Sequence, residues 1–346
     1  MINAGIIGAT TYVGMELTRL LQYHPNVNVS AVISQNYIGQ KISNIYPNLN
    51  QIFEANLESL DIEKLIYKAD IFFTCIPIGI SKVIMPSLVE SSKKIIDFSN
   101  NFLFNSKKLY EKWFKQKHDM PFLLQSSSYG LTELYKESIK NSLIVGVPTN
   151  YSTSVILSLA PLLKNNLLKI KSIMINIISS LSDEGRCNDF IYHFCESSEN
   201  IRFQKDNTSF YKSEINKEIE NLSHEESDVI LNHFVAPVKR GQLCTIVVET
   251  NTRIKENEFF KLYKTFYKNS TFIRVLDKNI LSETKWVIGS NYFDISAIVE
   301  KEKNRITIIS SMDNMIKGSA GQAIQCLNIM YGFSEKLGLD FPGFYI

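Results

Sequence analysis

Apolar residues at 3–7 run into the glycine-bearing turn 8–14, after which Leu17, Leu20 and Leu21 recur on one helical face. The pattern predicts strand, tight turn and helix. A second apolar strand at 27–33 follows the His24-Pro25 turn and ends in Ser34-Gln35, completing a βαβ unit with parallel strands and a right-handed crossover. Strands at 71–76 and 94–98, with a helical pattern at 81–91 between them, extend this sheet to about residue 147. From 151 the period changes to an apolar helix at 154–163, a long strand at 170–178 and, after the polar turn 182–185, a helix at 189–197. Strand patterns at 243–250, 271–276, 293–299 and 305–310 then surround one helix at 256–267, and a helix at 319–331 closes the chain. A parallel α/β domain followed by an α+β domain is expected.

With 346 residues and 45% hydrophobic content the chain buries sizeable cores and is expected to form two domains. Thirty-seven basic residues against thirty-five acidic ones give a formal charge of +2, too balanced for a nucleic-acid or membrane-surface binder. Five cysteines, none in a C-x-x-C pair, point to neither a disulfide framework nor a metal site. The opening residues carry no charged leader pattern, and the longest apolar stretches, such as 155–163, fall far short of a membrane span. The expected setting is cytoplasmic.

The first chemical motif is Gly5-x-x-Gly8-x-x-Thr11-x-x-Gly14. A dinucleotide site needs glycines for a tight turn, for close approach to the pyrophosphate and for helix–strand contact, with the helix N-terminus facing the phosphates. Gly8 and Gly14 fit, while Thr11 stands where a further glycine would serve; the hydroxyls of Thr10 and Thr11 are candidate replacements, next to Tyr12 and Val13. A simple tight turn reads equally well on this loop alone. Ser34-Gln35 lie where the ribose is read, with neither the acid that favours NAD nor the base that favours NADP.

A wider resemblance rests on Gly8–Leu17 (GATTYVGMEL), His24-Pro25, 39–47 (GQKISNIYP), Asp97-Phe98-Ser99 and Tyr129-Gly130-Leu131-x-Glu133-Leu134. It continues through His193-Phe194-x-Glu196, Pro237-x-x-Arg240-Gly241, 284–291 (TKWVIGSN) and Asp313-Asn314-x-x-Lys317-Gly318-x-Ala320-Gly321-Gln322-Ala323. Across nearly its whole length the chain resembles the N-acetyl-gamma-glutamyl-phosphate reductases, the arginine-pathway members of the semialdehyde dehydrogenase superfamily. The resemblance implies a Rossmann-type NADP-binding domain over 1–149, an α+β substrate and oligomerisation domain over 150–312, and a segment 313–346 whose helix returns to the first domain. It also implies a homo-oligomer built through the second domain's sheet.

In that family a cysteine thiolate attacks an acyl phosphate, phosphate leaves, NADPH reduces the thioester, and the semialdehyde is released. The family places that cysteine in Asn-Pro-Gly-Cys-Tyr-Pro-Thr, which corresponds here to Val147-Pro148-Thr149-Asn150-Tyr151-Ser152-Thr153, so Asn150 stands at the nucleophile position. A carboxamide cannot form a thioester. The family's histidine, from His-Arg-His-Thr-Pro-Glu-Ile, falls on Ile215, and an extra stretch near 206–211 leaves room for a shift of a few residues. Cys187 is the only replacement thiol to consider, with a passive loop thiol as its plainer reading. By the same resemblance Asn314, Lys317 and Gly318 are candidate cofactor residues, and Arg186, Lys285 and Arg240 are candidate holders of an anionic substrate. Three readings follow: the family reductase acting through another thiol, a non-catalytic member kept as partner subunit or remnant, and a hydride-transfer enzyme without a covalent intermediate.

Overall fold

A computed structural model describes residues 1–104, 106–114, 117–118, 120–205, 208–300 and 302–345. The chain divides into two compact units, Met1–Pro148 with Ser319–Asp340, and Thr149–Gly318 with the segment that starts at Phe341.

The first unit is built on β1 (Ile2–Ile7), β2 (Val27–Ile33), β3 (Ile71–Thr74), β4 (Lys94–Asp97), β5 (Ser127–Tyr129) and β6 (Ile144–Gly146). All pair in parallel in the order β2-β1-β3-β4-β6-β5. Every residue of β3 is buried, as are the last four of β1, which is why these strands read as continuous apolar runs: helices cover both faces of such a sheet. Helix α1 (Tyr12–Leu21) turns Leu17, Leu20 and Leu21 inward, and α2 (Ile78–Glu90) adds Ile84, Met85 and Leu88 to a core shared with Ile7, Ile33, Phe72 and Ile95. The helix Gly321–Met330 belongs to this unit. Its Gln322 donates to the Gly130 carbonyl at 2.8 Å, and Asn328 meets His24 Nε2 at 2.8 Å, which gives the His24-Pro25 turn a structural anchor.

The second unit carries β7 (Met174–Ser180), β8 (Arg202–Phe203), β9 (Ile230–Ala236), β10 (Gln242–Glu249), β11 (Ile273–Val275), β12 (Phe293–Val299) and β13 (Arg305–Met312). They form one mixed sheet in the order β11-β12-β13-β10-β7-β9-β8. Helices α3 (Asn150–Leu163), α4 (Thr208–Ser223) and α5 (Glu256–Phe266) accompany it. Pro161 removes one backbone donor from α3, which leaves the carbonyl four residues earlier, that of Leu157, without its helical partner. Tyr267 donates its hydroxyl to that carbonyl, and Tyr263 donates to Ser158 O at 2.6 Å. The carbonyl orphaned by the proline is therefore satisfied by the buried Tyr267. On the sheet's other side Met174, Ile178, Ile230 and Ile298 are exposed; Ile230 pairs with Met174, and Phe234 with Ile178.

Several expected elements shift. The strand expected at 170–178 starts at Met174 after a 3-10 turn at Ile170–Ser172, and the helix expected at 189–197 is two separate turns, Phe190–Tyr192 and Phe194–Ser197. Helix α4 and strand β9 had no counterpart in the hydrophobic pattern. The second unit runs on to Gly318, beyond the expected boundary at 312, because the carboxylate of Asp313 accepts from Gly289 N at 2.7 Å and Asn314 Oδ1 accepts from Gly241 N at 2.8 Å. The last residues return to this unit too, where Phe344 N donates to Ile288 O at 2.8 Å.

Candidate functional site

In the first unit, Gly8 adopts φ +87°, and a Cβ there would lie 2.2 Å from the Cys75 carbonyl oxygen. A Cβ on Gly14 would lie 2.3 Å from Gly8 O, so the turn closes onto β3 and α1 only with glycine at both positions. Thr11 caps α1: its hydroxyl accepts from Gly14 N at 3.0 Å and donates to Gly8 O at 2.8 Å. That hydroxyl is thereby committed to the turn itself. The Thr10 hydroxyl meets Ser34 Oγ at 2.8 Å, and Tyr46 donates to Thr10 O at 2.7 Å. Tyr12 and Val13 form the half-buried first turn of α1.

Beside this turn lies a cavity of about 310 Å³, lined by Gly8, Thr10, Thr11, Ser34, Gln35 and Asn36 and bounded by Ile76 and Ile80. It follows the C-terminal ends of β1, β2 and β3, where open parallel sheets bind their ligands. The donor set is neutral hydroxyls, carboxamides and backbone N–H groups at a helix N-terminus, chemistry that fits the phosphates and ribose of a dinucleotide. A buried carboxylate, Asp97, lies nearby in the same unit, where it accepts from Thr74 Oγ1 at 2.6 Å and Ser99 Oγ at 2.7 Å; burial pushes its carboxyl above the ordinary value.

In the second unit, Asn150 is the first residue of α3, directly after the cap Thr149. Its Nδ2 donates to Asp183 Oδ1 at 2.8 Å, and its Oδ1 accepts from Tyr151 N at 3.0 Å. Asn314 Nδ2 donates to the same Asp183 oxygen at 2.5 Å and to Ser182 Oγ at 2.9 Å. Gln242 donates to Asn150 O at 3.1 Å and to Ser154 Oγ at 2.7 Å. A Cβ on Gly318 would lie 2.7 Å from Asn150 Cβ, so this glycine makes room for residue 150. Desolvation pushes Asp183 up to about 7, with Glu184 adding to it, against the hydrogen bonds from Asn314 and Asn150 that pull it down. A carboxyl at that value exchanges protons at neutral pH.

Around this core, Tyr151 packs its ring 4.1 Å from that of Tyr211 on α4 and 4.8 Å from His233. His233 is buried, meets Ser179 Oγ at 2.7 Å through Nε2, and is lowered by burial to about 4, which keeps it neutral. Glu214, fully buried on α4, accepts from Thr149 N at 3.2 Å and Thr149 Oγ1 at 2.6 Å, fixing the cap that starts α3.

The expected site residues separate accordingly. Asn150, Asn314 and Gly318 come together in one network. Ile215 does not join it: it is a fully buried core aliphatic, and the α4 side chains that meet residues flanking Asn150 are Tyr211 and Glu214. Lys317 is fully buried. Lys285 is exposed and holds its ammonium over the Tyr345 ring at 4.2 Å, and Arg240 lies 3.6 Å from Asp313. Arg186 and Cys187 are exposed in the loop after Gly185. Cys244 is buried on β10, and burial pushes its thiol up to about 12, which leaves it protonated and unreactive. Asp183, Tyr211 and Gln242 escape the sequence reading because their partners lie far away in the chain. The one local signal is the acid in the Ser182–Gly185 turn that follows β7.

Residues 3–142 match the family described as semialdehyde dehydrogenase, NAD binding domain, and residues 151–314 match the semialdehyde dehydrogenase dimerisation domain. A protein of Acetivibrio thermocellus named N-acetyl-gamma-glutamyl-phosphate reductase is 48% identical over 346 residues, 100% of both chains. One of Desulforamulus reducens with the same name is 39% identical over 345 residues, again 100% of both. Among solved structures, aspartate semialdehyde dehydrogenase II of Vibrio cholerae, complexed with ASA, matches with a TM-score of 0.71 at 15% identity over 96% of this chain and 98% of that one. The Candida albicans aspartate semialdehyde dehydrogenase with NADP gives 0.68 at 15% identity, covering 96% and 98%.

Proposed function

Because the chain belongs to the semialdehyde dehydrogenase family, in the branch of the N-acetyl-gamma-glutamyl-phosphate reductases, we propose that it binds NADP and an acyl phosphate of that type but reduces it poorly or not at all. The observation that carries this reading is Asn150 at the start of α3, held by Asp183, at the position that the resemblance gives to the thiolate of the thioester route. The turn Gly8–Gly14 and the Ser34-Gln35-Asn36 edge of the cavity would hold the dinucleotide, which supplies a hydride when bound. Asn150, Asn314 and Gln242 would orient the acyl group by hydrogen bonds. None of these side chains forms a covalent bond to carbon.

Calorimetry with NADPH, followed by a reductase assay on N-acetyl-gamma-glutamyl phosphate in the same preparation, tests the reading. Binding without turnover is expected, and Gly14→Ala should abolish binding, since the added methyl has nowhere to go. Turnover by the unaltered chain would overturn the nucleophile argument, and absence of binding would overturn the cofactor assignment.

The open sheet face of the second unit supports a homo-oligomer. Met174, Ile178, Ile230 and Ile298 are exposed there, and an apolar surface of this kind is what a second copy covers in symmetric dimers. Ile178→Asp is expected to shift the mass found by light scattering from dimer to monomer. An unchanged mass would place the contact elsewhere. Among the described residues no helix is long and apolar enough to cross a membrane.

A further inference from the structure

We propose that the Asn150 site hydrolyses its acyl phosphate, with Asp183 accepting a proton from the water that attacks the acyl carbon and Asn150 holding the carbonyl oxygen. This inference rests on the acyl-phosphate reading above and adds an activity that needs no reductant. The attacking water forms the new C–O bond, and the bond between acyl carbon and phosphate oxygen breaks. Inorganic phosphate leaves and the acyl group becomes a carboxylate. One proton of the water passes to Asp183 and the other departs as the tetrahedral adduct collapses, both ending on phosphate or in solvent; nothing is oxidised or reduced.

The geometry divides the work between two oxygens. Asp183 Oδ1 is fixed by Asn150 at 2.8 Å and Asn314 at 2.5 Å, which sets the orientation of the carboxylate. Among the described residues Oδ2 meets the Tyr151 hydroxyl alone, at 3.4 Å, long enough to leave a lone pair for water. Asn150 Nδ2 has given one proton to Asp183 and keeps a second for a ligand oxygen. That oxygen would also face the N-terminus of the 14-residue α3, whose dipole favours the negative charge developing on it.

A further acceptor borders Asn150. Gln242 is 1% exposed and uses Nε2 on Asn150 O and Ser154 Oγ, while its Oε1 has no partner among the described residues. The amide orientation is fixed by chemistry, since Ser154 Oγ donates to Tyr151 O and so accepts from Gln242. A buried acceptor without a partner is costly, and a water or ligand proton relieves it.

The groups facing Asp183 set the pH behaviour. Glu184 raises it, the buried hydroxyls of Tyr151 and Tyr211 stay protonated, and Asn150 and Asn314 are neutral. With the carboxyl at about 7, the base form grows as pH rises through 7, and the rate rises with it.

The test is phosphate release from N-acetyl-gamma-glutamyl phosphate by the full chain without NADPH, in water labelled with oxygen-18. Expected are release at least tenfold above the spontaneous rate, label in the carboxylate, and a limb rising through about pH 7. Asp183→Asn should lose at least tenfold of that rate with an unchanged heat-unfolding midpoint, and Gln242→Leu should lose part of it. Label in the phosphate, or an unchanged rate in Asp183→Asn, would overturn the assignment. So would release at the spontaneous rate while calorimetry shows the acyl phosphate bound. Failure to bind it would instead sink the ligand reading itself.

Discussion

Asn150→Cys is expected to create a thiol that N-acetyl-gamma-glutamyl phosphate acylates, and to raise NADPH-dependent turnover at least a hundredfold over the unaltered chain. Three features described above favour this outcome. Residue 150 opens a 14-residue helix, and a thiol at a helix N-terminus ionises more readily because the dipole stabilises the thiolate. Gly318 leaves space for a side chain there, and cysteine is smaller than asparagine. Glu214 holds the cap Thr149 at 2.6 Å, so the first turn keeps its place whichever residue follows. Full family activity is not expected, because the side chains beside residue 150 are Tyr211, packed on Tyr151, and Asp183 with its carboxyl at about 7, neither of them a histidine. Mass spectrometry of the acylated chain reads the first step, and NADPH consumption the second. A folded Asn150→Cys chain that is never acylated would show that residue 150 is not the nucleophile position.

The largest stability effect is expected at Asp313. Its carboxylate is fully buried and accepts from Gly289 N at 2.7 Å, Met315 N at 2.8 Å and Ile316 N at 3.1 Å. Asp313→Ala leaves three donors without an acceptor, at about 1–3 kcal/mol each, in a chain whose stability lies in the range of about 5–15 kcal/mol. A loss of at least about 4 kcal/mol in urea unfolding, or failure to accumulate folded protein, is expected. Arg240→Ala should cost about 1 kcal/mol or less, because Arg240 is 22% exposed and lies 3.6 Å from the carboxylate, as expected of a part-exposed pair. A small effect at Asp313 and a large one at Arg240 would reverse this assignment of roles.

The pattern of apolar residues carried the sheets well. Strands 27–33 and 293–299 coincide with β2 and β12 to the residue, because β-branched and aromatic residues recur along both, although β12 also buries Asp294 and Ser296. Helix α4 has no such clear pattern: Glu214, Asn216, Lys217 and Glu218 are buried on it beside Ile215 and Ile219, so burial does not follow polarity there. Asn150 and Gly318 were legible because the resemblance ties them to a fixed motif. In the sequence Asp183 is one residue of a polar turn, since what gives it chemical character is enclosure by residues 150, 151 and 314, which no local window contains.

The first unit is interrupted: its chain leaves at Pro148 and resumes only at Ser319. A ribosome must therefore make about 170 residues of the second unit before the helix Gly321–Met330 exists, on the order of ten to thirty seconds at synthesis rates of about 5–20 residues per second. Throughout that interval Gly130, Asn328's partner His24 and Lys94 lack the helix that contacts them. The nascent sheet waits with that flank uncovered. Ribosome-stalled chains ending before residue 319 should be more readily proteolysed in their first 148 residues than released full-length chains.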